Sequence, residues 1–420
     1  MTARVPAGWS TAKIGDVTFK PLKCEPVSTG RDRIRYVDIG QLDGPTSDLS
    51  DAPEIDSKLA PSRCRQVVEG GDTLYSTVRP YLRKIAFVQA ALDGEFASTG
   101  YCVLRPAREI HPRYLYYFML SKQFEDQLLP LQKGVSYPAV LDREVRAQRV
   151  WYPDMPEQRR IVEILEDHLS HLDAGQNSLK VATTRQRAWK TGVLQHWVWD
   201  DSFASTTVAD ILREPMRNGR SDRASTDPDA VRTLTLTAVT KGQFSEQNTK
   251  LTSTSKDVAA GLWLEPGDIF VQRSNTPELV GTSARYDGPR EWAIFPDLLI
   301  RIRPDESRMD SRFLAAALRS ERAHRALRQQ AKGLAGSMPK IDQRAIAETV
   351  VALPPLERQL EIVARLQEVD DADGRLLTAV ESAAARGQAL RRAVLAAAFE
   401  GRLTGRQSDT EVIEEMAHEA

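Results

Sequence analysis

The chain is short of cysteine and has no long apolar run, and each shortage excludes a class of protein. Its three cysteines, Cys24, Cys64 and Cys102, are far apart and odd in number. A disulfide framework is therefore not expected, and a reducing, cytoplasmic setting is predicted. No apolar stretch approaches the ~20 residues of a membrane helix. The first ten residues also lack the apolar core of a signal peptide, so no membrane partner is predicted.

Neither sign of charge prevails in the sequence. There are 57 Lys and Arg residues against 58 Asp and Glu residues, which gives a formal net charge of −1. The length of 420 residues is enough for two to four domains at roughly 100–200 residues each. Binding to nucleic acid depends strongly on basic side chains, so composition alone does not indicate such a partner. Any nucleic-acid partner has to be inferred from the architecture.

Common signatures of catalysis are also absent from the sequence. There is no G-x-x-x-x-G-K-[ST] phosphate loop, no G-x-G-x-x-G fingerprint and no G-x-S-x-G nucleophile turn. The segment LPPL at Leu353–Leu356 lacks the flanking residues of an amino-methyltransferase motif. His168 and His171 are three residues apart, but no further ligands of suitable spacing follow, so a metal site is not predicted. We therefore predict a protein that is not an enzyme and binds no cofactor or metal itself.

The most informative feature is an internal repeat. The segment EQRRIVEIL at Glu157–Leu165 matches RQLEIVARL at Arg358–Leu366, with Gln158 opposite Gln359. Each copy follows a pair of prolines. Proline is tolerated in the first turn of a helix and blocks its backward extension. Both segments are therefore predicted to begin helices.

Each predicted helix carries a heptad pattern for about 40 residues, or ~60 Å. Polar or small residues, His168, Gly175, Gln186 and His196, interrupt the stripe of the first copy. A helix of this length must bury its apolar stripe against a partner, and the other copy is the nearest candidate, in an antiparallel pair. The predicted seam consists of Ile161, Leu165, Leu172, Leu179, Trp189, Val193, Ile362, Leu366, Val369, Leu376, Val380, Leu390 and Val394.

The segments before the two helices are also repeated. His111–Gly134 aligns without gaps with Asp310–Gly333, and GGDTLYS aligns with PGDIFVQ. The predicted fold class is therefore α+β, with two similar α/β modules joined by two long antiparallel coiled-coil helices and an approximate two-fold axis. The predicted boundaries are 1–152 for the first module, 153–199 for the first helix, 200–352 for the second module, 353–403 for the second helix and 404–420 for an acidic tail.

Two similar modules at a fixed spacing suit duplex DNA, whose half-sites recur on one face every ~34–36 Å. Polar and aromatic side chains in loops after strands are the candidates for contact with DNA. Arg79 and Arg273 suit guanine or phosphate, and Gln272 and Asn275 suit adenine. The full candidate set is Ser76, Arg79, Tyr81, Arg83, Lys84, Lys133, Ser136 and Tyr137 in the first module, and Gln272, Arg273, Ser274, Asn275, Lys332, Ser337 and Lys340 in the second.

Several segments resemble the specificity subunits of type I restriction-modification enzymes over essentially the whole chain. They include VPAGWSTAKIGDV at Val5–Val17, GDTLYSTVRPYLRK, GDIFVQRSNTPELVG, the two proline–helix starts and AAAFEGRL at Ala396–Leu403. The resemblance implies two target-recognition domains, each of which reads half of a split DNA sequence. It implies that the helices set the gap between the halves.

The resemblance also implies partners. Two methyltransferase (modification) subunits would carry S-adenosylmethionine and modify adenine, and restriction subunits would use ATP. Two alternatives remain open at this point. One is a stand-alone enzyme acting on DNA, and the other is a coiled-coil adaptor whose modules bind proteins.

Overall fold

The computed structural model describes residues 5–42, 49, 51–132, 138–333 and 338–404. The chain divides into two compact units. The first unit comprises Met1–Leu179 and Glu381–Ala420, and the second comprises Lys180–Val380. The division falls inside both long helices, so each helix begins in one unit and ends in the other.

The first unit contains a mixed module. Its strands are β1 (Ser10–Lys13), β2 (Thr18–Phe19), β3 (Arg33–Val37), β4 (Glu54–Asp56), β5 (Cys64–Val67), β6 (Thr73–Ser76), β7 (Ile85–Phe87), β8 (Phe96–Ser98), β9 (Tyr101–Pro106) and β10 (Arg149–Tyr152). Its helices are α1 (Pro112–Leu120), α2 (Lys122–Leu128), α3 (Asp142–Arg146) and the start of α4 (Met155–Val198).

Three sheets organise this module. One has the order β2-β9-β6-β7, another has the order β4-β3-β8-β5, and β1 pairs with β10 in an antiparallel ribbon. Within the described residues of this unit, β3–β8 is the only parallel pairing. The largest core lies between the β6–β7 hairpin, α1 and the long helices, and includes Tyr114, Phe118 and Phe399.

The second unit contains the matching module. Its strands are β11 (Ala204–Thr207), β12 (Arg217–Asn218), β13 (Val231–Leu234), β14 (Thr249–Thr252), β15 (Ile269–Gln272), β16 (Ser283–Arg285), β17 (Leu299–Ile302) and β18 (Val350–Leu353). Its helices are α5 (Leu236–Lys241), α6 (Lys256–Ala259), α7 (Ser311–Arg319), α8 (Glu321–Gln329), α9 (Gln343–Ala347) and the start of α10 (Leu356–Phe399).

The repeat predicted from sequence is present in the element order. The sheet β12-β17-β15-β16 of the second unit corresponds to β2-β9-β6-β7 of the first, and β11 pairs with β18 as β1 pairs with β10. Helices α1 and α7 have the same length, nine residues. The clearest difference lies in the remaining strands, where the second unit has only β13 and β14 paired together.

The long helices α4 and α10 each contain 44 residues and lie alongside each other, as predicted. In the first unit, Asp173 of α4 pairs with Arg391 of α10. In the second unit, Lys190 of α4 pairs with Asp373 of α10 at 2.7 Å. Moving forward along α4 therefore moves backward along α10, so the pairing is antiparallel.

The predicted seam is buried at some positions and not at others. Ile161, Leu165, Ile362, Leu366 and Val394 are buried. Partial burial is found at Leu172, Leu179, Val193, Val369, Val380 and Leu390.

Two predicted seam positions lie on the outside instead. Trp189 is 52% exposed and Leu376 is 41% exposed. A straight helix drifts by about 20° per heptad relative to a strict 3.5-residue repeat, so the side chain that faces inwards changes along the helix. The following residue, Lys190 or Leu377, is less exposed in each case.

Candidate nucleic-acid interface

The loop after β6 in the first unit has an unusual backbone. Arg79 and Arg83 both have a φ of +49°, a left-handed conformation that few residues other than glycine adopt. Two hydrogen bonds hold the start of this loop: Arg79 N donates to Pro138 O at 2.8 Å, and Val140 N donates to Thr77 O at 3.0 Å. Strained backbone of this kind is concentrated at functional sites. The loop is therefore a fixed structure rather than a simple turn.

The predicted contact residues around this loop have different surroundings. Ser76 is buried, and its Oγ donates to Val78 O at 2.9 Å. Arg83 donates to Leu120 O and lies 3.5 Å from the Glu125 carboxylate.

Two further candidates of this loop, Lys84 and Tyr81, differ in exposure, since Lys84 is half-buried and Tyr81 is exposed. Lys84 Nζ donates to Ile39 O at 3.3 Å. Tyr81 is 52% exposed, and it is the only exposed side chain among the first unit's described candidates.

In the matching loop of the second unit, the side-chain amides of Gln272 and Asn275 form hydrogen bonds within the protein. Gln272 is fully buried, and its Nε2 donates to Leu236 O at 3.0 Å and to Thr240 Oγ1 at 2.6 Å. Its Oε1 accepts a bond from Asn275 Nδ2 at 2.7 Å. Asn275 Oδ1 in turn accepts from Thr276 N at 2.8 Å. These two amides hold the loop together here, and their contact with adenine stays a prediction.

Three predicted cations of the second unit come together on neighbouring backbone segments. The buried Ser274 forms an antiparallel backbone β-bridge with Lys340. Lys340 forms a second such β-bridge with Lys332. Arg273 joins the same group, since its carbonyl accepts from Ile341 N at 2.9 Å. Both lysines are exposed and Arg273 is half-buried. We call Arg273, Lys332 and Lys340 the basic cluster; it has the charge that phosphates attract.

Four predicted contact residues, Lys133, Ser136, Tyr137 and Ser337, lie outside the described residues. Their part in DNA binding stays a prediction, as does that of the other candidates.

Behind each loop lies a buried ion pair that the sequence analysis did not find. In the first unit, Arg105 donates to both oxygens of Asp72, at 3.1 and 3.0 Å, and to Glu69 at 2.7 Å. Burial opposes the charge on Arg105, yet hydrogen bonds and the charge of Asp72 raise its pKa above the usual value. Asp72 also accepts from Glu69 N at 2.9 Å. The pair fixes the turn that begins β6.

The second unit repeats this pair with an additional carboxylate. Arg303 Nη2 donates to Asp268 at 3.1 Å. Its Nη1 lies 3.1 Å from Glu214 and 3.2 Å from Glu265. The arginines stand more than 30 residues from their aspartates in sequence. In the sequence, the one sign of these ion pairs is the repeated Gly-Asp dipeptide, at Gly71–Asp72 and Gly267–Asp268.

A repeated glutamine joins each module to its long helix. In the first unit, Gln158 accepts from His111 N at 2.7 Å. Its Nε2 donates to Glu109 O and Pro153 O, both at 3.0 Å. Every polar atom of this buried amide is thus used, as buried polar groups require.

The second unit repeats the arrangement atom for atom. Gln359 accepts from Asp310 N at 2.8 Å, and it donates to Arg308 O at 3.0 Å and Pro354 O at 2.9 Å. The glutamine matched between the two repeats in the sequence is therefore a joint between module and helix.

The described part of the chain offers neither a metal-binding cluster nor a membrane-spanning helix. No cluster of three or more His, Cys, Asp or Glu residues there could hold a metal ion. Among the same residues, no helix has the combination of length and apolar character needed to cross a bilayer.

The geometry defines a class: a duplicated α+β module with paired long helices and a loop with polar and basic side chains in each copy. Comparison with known proteins agrees with this class. Residues 34–181 match the family model described as "Type I restriction modification DNA specificity domain". The StySPI specificity subunit of a type I restriction enzyme from Salmonella potsdam is 24% identical, over 96% of this chain and 90% of its own.

Two solved structures show the same fold. One, described as "Structural basis underlying complex assembly and conformational transition of the type I R-M system", matches with a TM-score of 0.77, 24% identity, and coverage of 96% of this chain and all of the other. The HsdS subunit from Thermoanaerobacter tengcongensis matches with a TM-score of 0.53 and 24% identity, over 96% and 99% of the two chains. Residues 34–181 thus carry a type I restriction-modification DNA specificity domain, and the resemblance of the chain to specificity subunits is confirmed.

Proposed function

We propose that this chain is the DNA-reading subunit of a type I restriction-modification complex, in which each unit reads one half of a split target. The observation that carries the proposal is the duplication itself. The same hairpin, buried ion pair and glutamine joint occur in both units, while the loop residues differ. A shared frame with unlike loops suits a target whose two halves have unlike sequences.

The proposal assigns the gap between the half-sites to α4 and α10. At 1.5 Å per residue, a 44-residue helix extends for about 66 Å. A partly buried seam and the ion pairs Asp173–Arg391 and Lys190–Asp373 hold the two helices side by side, as a ruler for DNA requires. The double-stranded DNA partner is therefore met at two places rather than along a continuous stretch.

The proposal also includes partner subunits. The net charge of −1 means that this chain alone offers few uncompensated phosphate contacts, which limits its own affinity. Two methyltransferase subunits, with S-adenosylmethionine, would supply further basic surface and the chemistry. Restriction subunits that use ATP would join that assembly.

Footprinting of the chain reconstituted with its modification subunits tests the proposal. Two short protected patches separated by an unprotected gap are expected, with a preferred sequence in each patch. Protection without sequence preference would contradict it and favour a coiled-coil adaptor. Methyl transfer by the purified chain alone would instead favour a stand-alone enzyme.

A further inference from the structure

In the first unit, aromatic side chains pack between α1 and the long helix α4. Tyr116 and Tyr117 of α1 are both buried there. The ring of Phe87, on β7, lies 5.7 Å from that of Tyr116. Beneath them, Val162 and Leu169 of α4 are also buried. All five side chains belong to or pack against the same hydrophobic core.

The second unit has small or polar residues at the equivalent places. Helices α1 and α7 align without gaps, so Ala315 and Ala316 replace the two tyrosines. Within the hairpins, Thr73 pairs with Phe87 as Ile269 pairs with Arg285, so an arginine replaces the phenylalanine.

Two further replacements follow from the same alignment. Ser283 stands where the first unit has the buried Ile85, since each lies two residues before the hairpin position just described. On the long helix, the offset of 201 places Asp370 where the first unit has Leu169.

These replacements leave a groove of about 920 Å³ inside the second unit. The alanines and Ser283 line it, together with Val363, Leu366 and Asp370 of α10. The Ser283 side chain is buried, and its hydroxyl has no hydrogen-bond partner among the residues that the structure describes. The groove wall therefore contains a buried hydroxyl at the position where the first unit has the apolar side chain of Ile85.

The charges that line the groove are only partly paired. Asp287 pairs with Arg285, Asp310 with Arg312 and Asp370 with Lys190. The carboxylate of Glu306 also lines the groove and accepts a hydrogen bond from Ser311 N, without an ion pair among the described residues. Lys241 and Arg319 are exposed, and neither has an ion pair within the described part of the chain. Two unpaired cations thus stand against one unpaired carboxylate, and this excess of positive charge favours an occupant that carries negative charge.

We propose that this groove is the docking site for a segment of a modification subunit that presents aromatic side chains beside carboxylates. The molecule itself indicates the aromatic part, because Tyr116, Tyr117 and Phe87 fill the same space in the first unit. Lys241 and Arg319 account for the carboxylates. The inference rests on the proposed assembly with modification subunits, and it adds that the two units hold their partners differently.

To test the proposal, substitutions fill the groove, and the number of modification subunits bound to each chain is then measured. The double variant Ala315→Tyr with Ala316→Tyr gives the second unit the side chains of the first. Native mass spectrometry of the reconstituted complex is expected to show two modification subunits on the original chain. On the filled variant, one copy should be lost or bind about 10-fold or more weakly, as expected for loss of an interface hot spot.

Charge variants make the test independent of the folding of the filled variant. Lys241→Glu with Arg319→Glu should weaken the same copy, because both cations then repel the carboxylates. Lys250→Glu with Lys256→Glu, at two exposed positions outside the groove lining, is the charge-matched double control and should leave both copies bound. Thermal unfolding confirms that each variant is folded.

Each remaining outcome overturns the proposal in a distinct way. If the original chain binds no modification subunit, the proposed assembly and this inference both fail. If the original chain binds two copies and both groove variants do so equally well, the groove inference alone is wrong. If the variants lose affinity for DNA but keep both copies, the groove serves nucleic acid instead of a protein.

Discussion

The two units share a frame and differ in what the frame carries. Both hold their module to a long helix through one glutamine, Gln158 or Gln359, and both anchor the hairpin with an arginine–aspartate pair. They differ in the hairpin loops and in the strands that precede the hairpin. Positions that stay alike in the two copies therefore support the fold, and positions that diverge are the ones available for recognition.

The largest effect is expected at the anchoring aspartates. Asp72→Asn leaves Arg105 buried with only Glu69, and breaking a buried pair costs about 3–5 kcal/mol. Asp268→Asn should cost less, because Arg303 keeps Glu214 and Glu265. Chemical denaturation measures both losses in the free energy of unfolding.

The exposed pair of Lys122 with Asp126 supplies the control. Asp126→Asn should leave the free energy of unfolding unchanged within error, since exposed pairs contribute little. An equal or greater loss for Asp268→Asn than for Asp72→Asn would contradict the role given to the additional carboxylate.

A smaller and equal effect is expected at the glutamine joints. Gln158→Ala and Gln359→Ala each leave three backbone groups without partners, and a loss of about 2–3 kcal/mol in the free energy of unfolding is expected for each. Gln388→Ala, at an exposed position of α10, is the control and should change little. A loss confined to one unit would show that the two joints are not equivalent.

Variants that alter DNA recognition should distinguish the two units more clearly than variants that alter stability. Arg273→Ala is expected to relax one half-site only, by about 1–3 kcal/mol of discrimination if it contacts guanine. Arg79→Ala should relax the other half-site. Binding to a library of DNA duplexes, randomised in one half at a time, measures both. Equal loss at both halves from either variant would contradict modular reading.

The smallest effect is expected from pH. Burial lowers the pKa of both His111 and His324 below the usual 6.5. Each histidine is then neutral in the folded unit and takes up a proton more readily when unfolded. Its contribution to stability is present above pH 6.5 and is lost as the pH falls below that value.

Thermal unfolding between pH 7.5 and 5 checks this dependence. The double variant His111→Gln with His324→Gln should lose less stability over that range than the original chain. An identical slope in the two proteins would mean that these histidines do not cause the acid sensitivity.

Much of the fold follows from the repeat. Proline before Gln158 and before Gln359 marks two helix starts, and the long apolar stripes require an antiparallel partner. Helices of about 40 residues are predicted, and helices of 44 residues are found. These features depend on local pattern and on a duplication that is visible in the sequence.

Other features depend on three-dimensional packing, which the pattern of residues along the sequence does not reveal. Trp189 is four heptads from Ile161, so a drift of about 80° accumulates and turns it outwards. Gln272 has the chemistry to bind adenine, but the nearby Leu236 carbonyl and Thr240 hydroxyl take its hydrogen bonds. The alignment already sets Ala315 opposite Tyr116, but the groove that Ala315 lines with residues of β16 and α10 becomes visible only in the structure.

If α4 and α10 set the gap between the two half-sites, as we propose, the length of the helix pair controls the length of that gap. Deleting seven residues from the middle of each helix shortens the pair by about 10 Å and nearly preserves the facing side chains. Methylation mapping with the reconstituted complex should then find the same two half-sites with about three fewer base pairs between them. An unchanged gap, or altered bases in either half-site, would contradict the claim.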